Sequence, residues 1–236
     1  MNQELTAKEM VSEGAALAAN FGGDVVVQAQ EILRWARSTF GDQLVVASSM
    51  GDEVLVHLAS QEATGVDLLF LDTGYHFAET LDVRDLVNDR YELNVRTVVP
   101  LLSIQNQTDQ YGRDLWARDP NTCCAIRKVE PLERGLQPYM AWVTGMRRVD
   151  APTRTDIEIV GWDTQRKKVK INPLAAWSDV DVESYIVANG VLQHPLRKAG
   201  YTSIGCAPCT RPVAPGEDSR AGRWSGTEKT ECGLHR

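Results

Sequence analysis

A chain of 236 residues with 43% hydrophobic and 24% charged side chains is sized for one large globular domain, and no run approaches the roughly 20 apolar residues that span a bilayer. The start, Met1-Asn2-Gln3-Glu4, has neither a basic leader nor an apolar core behind it, so the expectation is a cytoplasmic protein with no membrane association. The net charge of −7 argues against general nucleic-acid binding, but it hides a division: residues 1–110 carry 6 Lys+Arg against 17 Asp+Glu, and residues 111–236 carry 19 against 15.

Thr6-Ala7-Lys8-Glu9 has the capping-box pattern and predicts a helix running to about Ala19, broken by Gly22-Gly23. Residues 24–39 read as a second helix that turns Val27, Ile32, Trp35 and Ala36 towards a core. An alternating pattern follows. Residues 43–47 are a short apolar run, a buried strand; Ser48-Ser49-Met50-Gly51-Asp52-Glu53 is a polar turn; residues 54–61 are helical. The next strand, 67–71, ends in Asp72-Thr73-Gly74 and precedes a helix over 77–90. A third strand covers 95–99, stopped by Pro100, and a fourth covers 139–144. Strands alternating with helices predict an α/β fold, a mostly parallel sheet flanked by helices, with ligands at the carboxyl ends of the strands. Residues 48–52 and 72–74 lie there. After Met146, residues 156–160 and 168–171 read as a hairpin, and Ser178 caps a helix to about Asn189 with Asp181 at its third position. From Leu192 on, Gly, Pro, Ser and Arg dominate. The chain thus divides into N-terminal helices (1–40), a main domain (41–211) with an irregular end, and a mobile C-terminal tail (212–236).

The turn at Ser48, Ser49, Gly51 and Asp52 joins a strand to a helix with small residues, which lets backbone amides approach an anion; ordinary turn geometry explains it as well. It lacks the Gly-Lys-Ser/Thr of a Walker A loop. Thr73 and Gly74 form either a helix-capping turn or a polar contact to a nucleoside. The five cysteines are more specific. Cys123 and Cys124 are adjacent, too close for a good disulfide with each other, and Cys206 and Cys209 form a Cys-x-x-Cys pair. In a reducing compartment such clustering favours metal or redox chemistry. An iron–sulfur cluster, a zinc ion and buried free thiols are the three readings. Zinc in a four-cysteine site takes two spaced pairs, which the adjacent pair fits poorly, whereas the separate iron corners of a cubane accept neighbours. The remaining cysteine, Cys232, lies in Glu231-Cys232-Gly233-Leu234-His235, shortly after Arg220-Ala221-Gly222-Arg223. Cations near a thiol favour the nucleophilic thiolate. Arg127, Lys128, Arg147, Arg148, Arg154, Arg220 and Arg223 supply the basic groups that sulfate or phosphate oxygens require.

The doubled cysteine followed by Arg-Lys-Val-Glu-Pro-Leu, then Gly-Tyr-Thr-Ser-Ile-Gly-Cys-Ala-Pro-Cys-Thr, then Glu-Cys-Gly-Leu-His, resembles the assimilatory adenylyl-sulfate (APS) reductases, relatives of the phosphoadenylyl-sulfate (PAPS) reductases. The resemblance covers residues 40–236. It implies an adenine nucleotide alpha hydrolase-like fold and a thioredoxin-dependent reductase that converts APS to sulfite and AMP in sulfate assimilation towards cysteine. It implies one [4Fe–4S] cluster on Cys123, Cys124, Cys206 and Cys209, and Cys232 as the nucleophile that carries an S-sulfo adduct. Lys128, Arg220 and Arg223 match the cations that hold the phosphosulfate; Ser48, Ser49, Gly51, Asp52, Thr73 and Gly74 match nucleotide-pocket loops; Arg154 and His235 are further substrate-contact candidates. The turn departs from the Ser-Gly-Gly-x-Asp-Ser of ATP-using relatives, in agreement with a substrate that lacks a pyrophosphate. The PAPS-specific branch generally lacks the cysteine motifs, which argues for APS here, with PAPS or dual use as the alternative and a zinc-stapled nucleotide-binding protein as the more distant one. A homo-oligomer is compatible with all of these.

Overall fold

The computed structural model describes residues 3–21, 23–227 and 229–235, with side chains from Thr6 onward; Gly22, half of the predicted helix break, lies outside them. Helices α1 (Gln3–Ala19) and α2 (Val25–Phe40) lead into the alternation β1 (Leu44–Ser48), α3 (Glu53–Glu62), β2 (Asp67–Leu71), α4 (Ala78–Arg90) and β3 (Asn94–Val98). Helices α5 (Ile104–Tyr111), α6 (Leu115–Arg118), α7 (Pro120–Cys124) and α8 (Glu130–Leu136) carry the chain back to β4 (Ala141–Thr144). A hairpin of β5 (Val160–Asp163) and β6 (Lys168–Ile171) and a last helix, α9 (Asp179–Asn189), precede the irregular end.

The six strands are ordered β3-β2-β1-β4-β6-β5, all parallel except the edge strand β5. β1 to β3 step in one direction and β4 lies on the other side of β1, so the order reverses between β1 and β4. The carboxyl ends of those two strands therefore flank the crevice where doubly wound sheets bind ligands.

The strand residues divide by alternation. Leu44, Val46, Leu68, Phe70, Ala141 and Val143 face a large core roofed by α1 to α4 and α9. Val45, Leu69 and Trp142 face a smaller cluster closed by Leu132 and Leu136 of α8 and by Tyr139, with Leu234 of the tail packed against it. Both faces are covered, which is why β1, β2 and β4 read as continuous apolar runs.

Three expectations need correction. The first helix begins at Gln3, so Thr6 is an interior residue and caps nothing. Asp24 does cap α2, accepting from the amides of Val26 (3.2 Å) and Val27 (3.1 Å), but Val27 itself is 38% exposed. It sits in the first turn, ahead of the stripe of Ala29, Ile32, Leu33 and Ala36 that is buried. The first strand of the hairpin starts four residues later than expected, because β5 is registered by β6: Val160 lies opposite Ile171 and Asp163 opposite Lys168. Asp163 closes the turn between them by accepting the Arg166 amide at 3.0 Å.

Candidate active site

A cavity of about 410 Å³ opens at the carboxyl ends of β1 and β4. Its first wall is the turn after β1. Met50 takes a left-handed φ of 64°, which folds the turn back on itself. The Met50 amide donates to Ser48 Oγ (3.0 Å), the Ser48 hydroxyl donates to Asp52 Oδ1 (2.6 Å), and the Ser49 amide donates to the same oxygen (3.2 Å). Burial pushes the Asp52 carboxyl up to about 6, against the opposing effect of the Ser48 hydrogen bond. Gly145 makes room for it, since a Cβ there would fall 2.9 Å from Asp52 Oδ2. From beneath, Arg197 grips the buried Glu53 with Nε (2.5 Å) and Nη2 (2.7 Å) and also donates to the Gly51 carbonyl (2.9 Å). A buried ion pair contributes only when its geometry satisfies both partners, and this one is bidentate. The turn is braced by its own carboxylates.

The second wall is the cysteine-bearing helix. Asp119 caps α7 through the Thr122 amide (3.0 Å), Pro120 opens it, and the chain continues through a π-helical turn, Ala125–Val129, into α8. Such wide turns re-aim side chains and recur at functional sites. Arg127 turns inward and binds Gln107 Oε1 (2.6 Å) and the carbonyls of Leu102 and Ser103 (both 2.9 Å), a structural clamp rather than a substrate cation. Lys128 lines the main cavity and also a small adjoining pocket bordered by Cys123, Cys124, Cys206 and Cys209. Burial opposes the Lys128 ammonium, while negative charge on the sulfurs of Cys206, Cys232 and Cys124, once they are deprotonated, raises its pKa above the ordinary lysine value.

The four thiols come together from two distant segments. Thr73, almost fully buried, lies with Oγ1 3.3 Å from Cys206 Sγ, and the Ala207 amide donates to the Tyr75 carbonyl (2.7 Å), so the end of β2 anchors the Cys-x-x-Cys loop. Burial, reinforced by the neighbouring thiols, pushes Cys123 up to about 12 and Cys209 up to about 11. Thiols so held are protonated until a metal displaces the protons. Among the described residues, no group of three or more His, Cys, Asp or Glu side chains is arranged to hold a single metal ion.

The third wall is the end of the chain. A bridge between Thr210 and Arg223 and the Trp224 amide on the Cys209 carbonyl (3.0 Å) tie residues 220–224 to the cysteine loop. Arg223 stacks over Trp224 (4.6 Å), donates weakly to Ser203 Oγ (3.2 Å) and the Ile204 carbonyl (3.4 Å), and keeps a buried Nε with no partner. Arg220 lies beside Glu231 at 3.5 Å; burial and then the nearby Arg154 lower its pKa. Both arginines face the cavity, as does the half-buried Cys232. His235 stacks on Trp142 (5.7 Å, 11° between planes), and burial holds its pKa well below the usual value, leaving it neutral.

Ser48, Ser49, Gly51, Asp52, Thr73, Lys128, Arg154, Arg220, Arg223, Cys232 and His235 thus share one cavity. Gly74 does not: it is exposed outside the wall, with φ 73° and its amide on Asp72 Oδ1 (2.9 Å). Arg154 reaches the cavity wall, but its guanidinium is committed to Glu231 (2.8 Å from both Nε and Nη2) and Asp150 (3.3 Å). Arg147 pairs with Asp150 and Asp179. The sequence reading missed Glu231, Asp150, Trp142 and the Glu53–Arg197 pair; the only signal for Glu231 was its charge beside Cys232 in a basic neighbourhood.

Residues 43–212 match the family model described as the phosphoadenosine phosphosulfate reductase domain. Curated relatives named adenosine 5'-phosphosulfate reductase extend the likeness to the whole chain. The one from Streptomyces coelicolor is 52% identical, covering 100% of this chain and 98% of the relative. The one from Mycolicibacterium smegmatis is 51% identical, covering 97% and 94%. Among solved structures, a phosphoadenylyl-sulfate reductase from Candida auris, in a phosphate complex, aligns with a TM-score of 0.66 at 30% identity over 78% of this chain and 90% of that one. An FMN adenylyltransferase from Candida glabrata aligns with a TM-score of 0.58 at 14% identity over 87% and 76%, a likeness of fold alone. On the match over 43–212 and the full-length relatives at about half identity, the chain belongs to the phosphoadenosine phosphosulfate reductase family.

Proposed function

We propose that the protein reduces APS to sulfite and AMP, with Cys232 as the nucleophile and a dithiol protein of the thioredoxin type as reductant, in a reducing cytoplasm. The observation that carries this reading is that Cys232, Lys128, Arg220 and Arg223 line one cavity at the β1/β4 switch point. The Cys232 thiolate attacks the sulfur of the sulfuryl group. A Cys Sγ–S bond forms, the sulfur–oxygen bond to the phosphate breaks, and AMP leaves with that bond's electron pair. A partner thiolate then attacks Cys232 Sγ and expels sulfite; its second thiol resolves the mixed disulfide, so the dithiol supplies both electrons. Sulfuryl oxygens repel a thiolate. Lys128, Arg220 and Arg223 lower that barrier and stabilise the charge that develops on the leaving phosphate, electrostatic help of the kind whose removal costs about 3–4 kcal/mol of activation. Arg223 lines the cavity with only long hydrogen bonds, to Ser203 Oγ at 3.2 Å and the Ile204 carbonyl at 3.4 Å, and an anionic oxygen would offer its guanidinium a stronger partner.

Cys123, Cys124, Cys206 and Cys209 fit one [4Fe–4S] cluster. They border a common pocket, two from each of two distant segments, and the adjacent pair suits the separate iron corners of a cubane better than a single zinc ion. When bound, such a cluster would supply a tie between the two segments and a fixed charge beside Lys128. Steady-state sulfite release with a thioredoxin-type reductant, measured for APS and for PAPS on the iron-loaded protein, tests the reading. Preference for APS by at least about tenfold in kcat/KM, or about 1.4 kcal/mol, is expected. Preference for PAPS would overturn the substrate assignment, and no sulfite from either would overturn the activity.

A further inference from the structure

The stretch between α9 and Cys206 is pinned to the turn after β1 at two places. At its start, His194 and Arg197 converge on Glu53. The His194 amide donates to Glu53 Oε1 (3.1 Å), and its fully buried ring lies with Nε2 3.0 Å from Thr80 Oγ1 of α4. Arg197 sits in a 3-10 turn, Pro195–Ala199, closed by Gly200 at φ 84°. Its guanidinium holds both Glu53 oxygens and, through Nη2, the Gly51 carbonyl (2.9 Å). With its side chain 2% exposed, Glu53 depends on these donors. At the other end Ile204 packs on the same turn: a Cβ on Gly51 would lie 3.4 Å from Ile204 Cβ. Ser203 Oγ and the Ile204 carbonyl in turn accept from Nη1 of Arg223, at 3.2 and 3.4 Å.

We propose that Arg197 is a positioning residue: clamped to Glu53 and to the Gly51 carbonyl, it sets the register of residues 195–205 against the β1 turn, and through Ser203 and Ile204 it sets where Arg223 meets the substrate. Replacing a buried ion pair by neutral groups of similar volume is often neutral for stability, whereas a planar fork bonded to two partners fixes a distance and an angle. Here the two partners belong to one wall of the cavity and the fork to another, since Gly51, Glu53, Arg197, Ser203 and Ile204 all line it. The bonds from Arg223 to this stretch are long, so its aim follows from where the stretch lies rather than from a strong partner of its own. A small shift of the stretch therefore moves the cation and leaves the fold intact.

This role rests on the reading of Arg223 as a substrate cation, and the experiment separates the two. Thermal unfolding and steady-state kinetics with APS are measured on the iron-loaded wild type, Arg197→Met, the pair replacement Arg197→Met with Glu53→Gln, Arg223→Gln, and the pair replacement combined with Arg223→Gln. Arg197→Met alone leaves a buried carboxylate without its partner and should unfold at a lower temperature. The pair replacement removes both charges and keeps an acceptor for the His194 amide, so it should recover most of that loss. Its kcat and kcat/KM should nevertheless both fall about tenfold, the pattern of an interaction lost in the transition state. In the Arg223→Gln background the same replacement should cost less than about twofold, because both changes act through one cation. Wild-type kinetics in the folded pair replacement would overturn the positioning role and leave the pair as a brace. An undiminished tenfold loss without Arg223 would overturn the route through Ser203 and Ile204. Full turnover by Arg223→Gln itself would instead overturn the reading of Arg223. If the pair replacement fails to fold, Arg197→Lys, which keeps the charge but not the planar fork, decides by the same comparison.

Discussion

Gly205 is a backbone position on which Arg223, proposed above as a substrate cation, depends. An alanine Cβ there would lie 2.2 Å from Arg223 Nη2, 2.6 Å from Cζ and 3.1 Å from Nη1. Non-bonded contacts relax only at roughly 3.5 Å, so the guanidinium must retreat by about 1 Å or more. The atoms in the way are the far end of a flexible side chain, so Gly205→Ala costs the fold little. What it removes is the Nη1 hold on Ser203 Oγ and the Ile204 carbonyl, and with it the charged hydrogen bond proposed for Arg223 to the phosphosulfate. A hydrogen bond to a charged group is worth about 1.5–3 kcal/mol, which converts to a roughly 10- to 150-fold loss in kcat/KM. The assay is steady-state kinetics with APS, alongside thermal unfolding and iron content to establish that fold and cluster are intact. A folded, iron-loaded Gly205→Ala enzyme with wild-type kcat/KM would refute the placement of Arg223 as a substrate cation.

Lys128→Ala should lower kcat/KM by roughly 10²–10³ while leaving iron content at the wild-type level, since Lys128 lines the cysteine pocket without being a ligand; full turnover would remove Lys128 from the mechanism. Asp52 gives a pH signature in stability. Burial raises its folded pKa from 3.8 to about 6, so ionisation opposes folding: the penalty is absent below the unfolded value, grows between the two, and is complete above about 6. Asp52→Asn should therefore gain roughly 1–3 kcal/mol over wild type at pH 8, allowing for partial exposure, and lose that gain near pH 4; equal curves at both pH values would contradict it. Chelation of iron, or Cys209→Ser, should lower the unfolding temperature and free the Cys206–Cys209 loop and the neighbouring 220–224 segment to exchange amide hydrogens, because the proposed cluster would tie together residues more than 80 positions apart. Unchanged exchange there would mean the loop is held by Thr73 and Tyr75 alone.

The sheet was legible because its central strands are buried on both faces, so Leu44–Ser48, Asp67–Leu71 and Ala141–Thr144 carry unbroken apolar runs. The edge strand β5 was misplaced because residues 156–160 alternate like a strand, while its true register depends on β6 and on a turn that local pattern does not encode. The cysteines and the cations were legible as types in a spaced pattern. What each arginine binds was not. Arg127, Arg154 and Arg223 look alike in sequence, yet one clamps carbonyls, one holds the tail's Glu231 and one stacks over Trp224 with only long hydrogen bonds at the cavity. That division follows from which carboxylates the fold brings near, and Glu231 meets Arg154 across 77 positions of sequence.

Covalent capture of the sulfuryl group by Cys232 is the central claim, and a quenched-flow count of AMP in the absence of any reductant tests it most directly. The account predicts a burst approaching one AMP per active chain, with an equal amount of sulfur retained on the C-terminal peptide, and no burst from Cys232→Ser. A burst of the same size from Cys232→Ser, or wild-type turnover with no sulfur on that peptide, would contradict it.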